Sequence, residues 1–344
     1  MKTKVDGTNI NWKDELSQAV TELPELFRML GLPTVLVDSS VCRDYPLFVP
    51  RSFVDKMRRG DSCDPLLLQI LPRQEECAIV SGFSCDPLAE LPTDFLGGSS
   101  CCVLKKYAGR VLLPISDGCG IHCRFCFRRF FPKLNSSDKS YVTGRCFGDF
   151  ETVLAPICSD NSIEEVILSG GDPLLLDDGE LDQWFYYIAK ISHVKRIRIH
   201  TRLPVILPSR LTPELVKILS SPFPTYLVLH VNHPNELGDD FWAKREDLRV
   251  PVILAQTVLL RGINDNFDVL YQLFDRLISH RIIPYYLHQL DRVQGAAHFE
   301  VSSVLGRRLL EQLRDSLPGY AIPRYVREVP GMLSKQEISA CSQQ

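Results

Sequence analysis

The stretch DGCGIHCRFCFRRFFP, residues 117–132, sets Cys119, Cys123 and Cys126 within eight positions and follows them with Arg128 and Arg129. Thiolates are soft ligands suited to zinc or to an iron–sulfur cluster. Four would close a structural zinc site or fill a cluster. Three leave one metal corner open to an outside ligand, and an open corner is where chemistry can happen. His122 lies inside the loop, but at a spacing that suits no zinc clip. The other cysteines (42, 63, 77, 85, 101, 102, 146, 158 and 341) share no spacing and read as small apolar residues or bystanders in reducing surroundings.

A second chemical stretch is LSGGDPLL, residues 168–175. Two glycines at the end of an apolar run let a backbone approach a ligand closely, and Asp172 adds a negative charge beside them. Lys335, in PGMLSK, is by its type alone a solvated lysine. His230 and His233 are three apart, a spacing that on a strand end does not bring both to one face. They read as cavity lining or structural hydrogen-bonding groups rather than as a zinc pair.

Something must hold these residues together. Six short apolar runs, at 110–115, 164–169, 196–201, 225–231, 250–260 and 282–290, read as strands. Helical periods lie between and after them, at 148–158, 179–191, 213–219, 267–280 and 304–317. The first hundred residues read as helical pieces broken by Pro and Gly, at 14–30, 50–59 and 64–70, the last opening on the N-cap Asp64. Strands alternating with helices predict a parallel sheet with right-handed crossovers. No GxGxxG follows the first strand, which speaks against an open dinucleotide-binding sheet. The polar segments all follow strand C-termini, so a partial (β/α)6 TIM-like barrel gathers them at one rim. The expected division is a helical extension over 1–104, a barrel over 105–328 and a short C-terminal segment over 329–344.

With 39 basic and 42 acidic residues the net charge is −3, which indicates neither a nucleic-acid binder nor a cationic membrane-surface protein. The N-terminus has no apolar signal core, and no apolar run is long enough to span a bilayer. A cytoplasmic location is expected.

The CxxxCxxC spacing with Phe125 before the third cysteine resembles the radical S-adenosylmethionine superfamily. SGGDPL narrows the resemblance to its lysine 2,3-aminomutase family. VPRSFVDKM, KYAGRVLL, RIHTRLPVILP, HVNHPNE, QTVLLRGINDN, YYLHQLDRVQGAAHF and PRYVREVPGMLSK extend it over about residues 45–337. Within the family the chain is most like the short members that serve β-lysylation of elongation factor P.

The resemblance implies three cofactors: a [4Fe-4S] cluster on Cys119, Cys123 and Cys126; S-adenosyl-L-methionine near Ser169, Gly170, Gly171, Asp172, Gln256 and His288; and pyridoxal 5′-phosphate joined to Lys335, with Lys106 and Arg110 toward its phosphate and Tyr107 near its ring. It implies that Arg128 takes the carboxylate of a lysine substrate, while Asp291 and Glu328 take its distal ammonium. Arg129 is expected to be a structural ion-pair partner. The implied reaction converts L-α-lysine to (R)-β-lysine, with a reducing electron donor and a functional link to elongation factor P and its lysyl ligase. The chain departs from the typical aminomutase in having Met332, Leu333 and Ser334 where glycines precede the lysine, and Glu328 where an aspartate is usual. Two other readings stay open. One is a stand-alone lysine 2,3-aminomutase, against which the sequence ends nine residues after Lys335. The other is a non-catalytic barrel holding a cluster or zinc. Oligomeric state is open.

Overall fold

The computed structural model describes residues 11–33, 45–90, 103–130 and 150–338. Nine strands form one sheet in chain order: β1 (Leu104–Tyr107), β2 (Arg110–Ser116), β3 (Glu165–Gly170), β4 (Arg196–Thr201), β5 (Thr225–His230), β6 (Val252–Leu259), β7 (Ile283–Gln289), β8 (Arg324–Arg327) and β9 (Gln336–Glu337). Every pairing from β2 through β8 is parallel. A parallel sheet whose spatial order equals its sequence order winds in one direction, as a partial TIM-like barrel does; a doubly wound sheet must reverse its order. β1 and β9 pair antiparallel at the two edges.

All six expected strands are present, and the parallel set has a seventh member. β8 escaped the sequence reading because its four residues, RYVR, are too short to show a period. It is held by Tyr325, whose hydroxyl donates to the Gln289 side chain of β7. Gly306, in the helix Ser303–Ser316, lets that ring approach; a Cβ there would overlap it.

The crossover helices follow the expected pattern. Phe267–Ser279 opens on Asn266, whose side chain accepts from Val269 N, and buries Leu270, Leu273, Phe274 and Leu277 on one stripe. Asp178–Ala189 and Pro213–Leu219 match their expected ranges closely, and Phe150–Ser159 does so over the described part of 148–158. Asp239–Arg245 was not expected.

In the extension, the expected helix at 14–30 divides into Trp12–Ser17 and Leu23–Leu30, because Val20 exchanges backbone hydrogen bonds with Val49. Asp64 caps Pro65–Leu68 as expected, accepting from Leu66 N and Leu67 N. The apolar side chains of these helices join the same continuous core as those of the barrel. The extension also grips the cysteine loop by its backbone: His122 N donates to Phe48 O at 2.9 Å, and Arg124 N to Gln69 O at 2.9 Å.

Candidate active site

Cys119, Cys123 and Cys126 follow the C-terminal end of β2 and line one cavity of about 280 Å³. The loop is fixed from beneath. Arg124, fully buried, forms a bidentate pair with Glu76 at 2.8 and 2.6 Å and donates to Tyr45 O. Arg129 joins the same Glu76 at 2.8 Å, the expected structural pair. His122 is buried against the Tyr45 ring with Nδ1 2.8 Å from Pro46 O. Arg202, at the end of β4, donates from Nη1 to Cys123 Sγ at 2.7 Å and pairs with buried Glu236 at 3.0 Å. Burial raises the Cys123 and Cys126 thiols, the latter to about 11. Among the described residues, Cys63, Cys77, Cys85 and Cys158 are exposed, so these are bystanders rather than core residues.

The SGGD turn lies against this loop, and Gly170, Gly171 and Asp172 line the same cavity. Gly171 N donates to Ser116 O at 2.6 Å and Asp172 N to Gly118 O at 2.7 Å. A Cβ at 171 would overlap the Gly118 carbonyl and lie 3.0 Å from Cys119 Sγ, while Gly170 has φ +124° with Ser116 behind it. The glycines thus admit the neighbouring cysteine loop. The Asp172 carboxylate is buried and accepts from Leu174 N, Thr201 Oγ1, Arg202 N and Leu203 N. Its charge ties β3 to β4 rather than facing a ligand as a free acid. Alanine at Gly171 is therefore expected to cost about 1–3 kcal/mol, the usual penalty of overpacking, and to lower the iron content of reconstituted protein. Wild-type melting and wild-type iron content in that variant would refute this role.

The same cavity is lined by Lys106, Tyr107, Arg110, Arg128, Ser169, Gln256, His288, Asp291, Glu328 and Lys335. The amine of Lys335, one residue before β9, pairs with Glu328, which also accepts from the Tyr107 hydroxyl. Burial and that bond keep the Tyr107 phenol protonated. Arg110 lies over the Tyr107 ring, 4.4 Å from its centroid. Arg128 and Lys106 share a partner that the sequence did not single out, Glu90. Arg128 Nε and Nη2 each lie 2.9 Å from its Oε2, and Lys106 Nζ lies 3.0 Å from its Oε1. Arg128 Nη1 reaches Ser169 Oγ at 3.1 Å.

His230 Nε2 lies 3.1 Å from Asn232 Oδ1, and His233 Nδ1 accepts from Asn235 N at 3.1 Å. Both make structural hydrogen bonds, and His230 also lines the cavity. Burial lowers the pKa of His200, His230 and His288, so the imidazoles facing the cavity are neutral near pH 7. His200 and Arg202, from one of the polar segments expected at the rim, also line it, as do Arg198 and Tyr286, which were not singled out. Arg196, Arg198 and His200 alternate along β4, and polar residues at every second position of a barrel strand are the signal that would have found Arg198.

Two features test the fit of the implied groups. His200 Nε2 is buried without a hydrogen-bond partner among the described residues, as a ligand-facing atom would be. Three thiols and an amine share one wall system with Lys106, Arg110, Arg128 and Arg198. Sulfur ligands, cations for a phosphate or carboxylate, and a lysine for a carbonyl are the donor set that such groups require. The residues fit. Among the described residues, no helix is long and apolar enough to cross a membrane.

Fold and cavity together define a barrel enzyme with its chemistry at the C-terminal rim of the strands. Sequence comparison narrows this. The chain is 40% identical over 331 residues to the L-lysine 2,3-aminomutase of Escherichia coli, covering 94% of this chain and 93% of that one. It is 37% identical to the Haemophilus influenzae enzyme of the same name, covering 94% of each. It is 36% identical over 275 residues to the one from Clostridium subterminale, covering 79% of this chain and 64% of that one. No protein-family model matches the chain. Streptococcus suis SuiB bound to S-adenosylmethionine superposes with TM-score 0.47 at 17% identity, over 65% of this chain and 51% of that one, too loosely to carry weight. The chain belongs to the L-lysine 2,3-aminomutase family and is an enzyme of the isomerase class.

Proposed function

We propose that this protein is a radical S-adenosylmethionine, pyridoxal phosphate-dependent lysine 2,3-aminomutase of the cytoplasm, converting L-α-lysine to (R)-β-lysine for attachment to elongation factor P. One observation carries the reading: a single cavity is lined by the three clustered thiols, by Lys335 and by two acids, Asp291 and Glu328. The product's handedness and its destination rest on the resemblance of the CRFCFRRFFP, RIHTRLPVILP and YYLHQLDRVQGAAHF stretches.

Cys119, Cys123 and Cys126 would hold a [4Fe-4S] cluster, with S-adenosylmethionine toward the SGGD turn, Gln256 and His288. Lys335, Lys106, Arg110 and Tyr107 would hold pyridoxal phosphate. When bound, these groups supply a carbon radical that removes hydrogen and an electrophilic carbonyl that carries the migrating nitrogen. The chain's own side chains do the rest. Arg128 presents a planar fork to the substrate carboxylate. Glu328 already holds the ammonium of Lys335, so it is shaped to receive the ammonium of a lysine side chain. The apolar wall, Phe125, Val258 and Leu290 among it, excludes water from a reactive intermediate.

Asp291 gives this reading a pH signature. Burial raises its carboxyl to about 7, opposed by Lys335 and reinforced by Glu328 and Glu90. The acid is thus neutral below about 7 and charged above it. Lysine affinity is expected to weaken as pH falls through 7, and Asp291→Asn to flatten that dependence. Stability moves the other way. The native state binds more protons than the unfolded chain between about 4 and 7, so the contribution of Asp291 to stability falls as pH rises across that window. Equilibrium binding and thermal melting between pH 5.5 and 8.5 check both signs. The function itself is tested by an anaerobic assay of reconstituted protein with lysine, S-adenosylmethionine and a reductant, followed by chiral analysis. Absence of β-lysine from protein carrying both iron and pyridoxal phosphate overturns the proposal.

A further inference from the structure

Arg128 and Lys106, the cations given to ligand anions, are already joined to an anion of the chain itself. Glu90 is buried, and its two oxygens divide between them, Oε2 to the Arg128 fork and Oε1 to Lys106. Burial alone would push the Glu90 carboxyl up, but Arg128 and Lys106 outweigh it and hold the group below the usual range. With Nε and Nη2 on Glu90 and Nη1 on Ser169, Arg128 has no fork left for a second carboxylate.

Glu90 belongs to a segment that is also anchored elsewhere. Ser84 N donates to Arg292 O at 3.0 Å and Gln294 N to Ser84 O at 2.9 Å, tying the segment to the loop that carries Asp291. Just before Glu90, Ala89 has φ +50°, a left-handed conformation that L residues with a Cβ adopt reluctantly. Glu90 N donates to Asp86 Oδ1 at 2.9 Å. The segment is thus anchored at Ser84, bent at Ala89 and tied to the cavity through the Glu90 carboxylate.

We propose that Glu90 is the resting occupant of the substrate-carboxylate site: it holds the Arg128 fork until the α-carboxylate of the amino acid replaces it there, and keeps Lys106 as a pivot. The inference rests on the assignment of Arg128 to that carboxylate. The exchange replaces the Glu90 Oε2 on the Arg128 fork by a substrate carboxylate while Oε1 stays with Lys106, so neither half-buried cation is left unpaired. An amine without a carboxylate offers Arg128 nothing in return and leaves Glu90 in place. Glu90 therefore makes the free α-carboxylate a condition of entry, which discriminates a free amino acid from an amide or a peptide-linked one.

The test uses reconstituted holoenzyme without reductant, so that nothing turns over, and measures the dissociation constants of L-lysine and L-lysinamide by calorimetry. With Glu90→Gln, L-lysine is expected to bind about tenfold tighter, since its competitor has lost its charge, and L-lysinamide to be unchanged. Glu90→Asp, one methylene shorter and still charged, should give a smaller gain of the same kind, and it carries the test if the glutamine variant fails to fold. Unchanged or weaker binding of L-lysine, or an equal gain for L-lysinamide, overturns the proposal while leaving the aminomutase assignment intact. A wild-type protein that binds lysinamide as tightly as lysine overturns the Arg128 assignment, and this inference with it.

Discussion

Serine at Cys119, Cys123 or Cys126 is expected to leave reconstituted protein with only background iron and to lower turnover by about a thousandfold or more, the scale reached when an essential catalytic group is removed. Among the described residues, no neighbouring ligand can stand in. The other described cysteines are exposed outside the cavity lining. His122 is stacked on Tyr45 and bonded to Pro46. The loop itself should persist, because its position depends on Arg124–Glu76 and on backbone bonds from Phe48 and Gln69, none of which a serine touches. The expected result is thus a folded, colourless protein with a melting temperature near that of the metal-free wild type. Serine variants that keep the broad brown absorption and the wild-type rate would remove the cluster from the mechanism.

How much of this was written in the chain depended on how local the cause was. β3 announced itself because a strand buried on both faces must be apolar nearly throughout, and β4 because its polar and apolar residues alternate. Asp64 announced a helix start through a cap that acts within three residues. The cysteines were legible for the same reason: their chemistry is in their spacing. The partners of the Asp172 carboxylate were not legible, because Thr201, Arg202 and Leu203 arrive from about thirty residues on. Nor were the groups pressing on the glycines before it, Ser116 and Gly118, which come from the preceding strand and loop. Glu90 was invisible altogether. One acid in a proline-containing stretch has no pattern, and only the fold shows that it meets Arg128 and Lys106. Lys335 lay between these cases: no local feature marks it, and resemblance alone singled it out.

Lys335→Ala is expected to abolish the absorption band of covalently held pyridoxal phosphate and to reduce turnover by about a thousandfold or more, while weakening retention of the cofactor rather than preventing it. Lys106 and Arg110 remain in the cavity to hold a phosphate. The amine has two roles that this substitution removes together, since it also neutralises Glu328. Lys335→Arg separates them: a guanidinium keeps a positive charge beside Glu328 but cannot condense with an aldehyde. If covalent attachment is the decisive role, both variants lose the band and the rate alike. If the ion pair is decisive, arginine restores most of the activity that alanine loses. The two variants should differ in one respect only. Alanine leaves Glu328 without its internal cation, so a lysine side chain meets less competition there, and lysine should bind the alanine variant more tightly than the arginine variant. Near-wild-type turnover in Lys335→Arg would place the essential amine elsewhere.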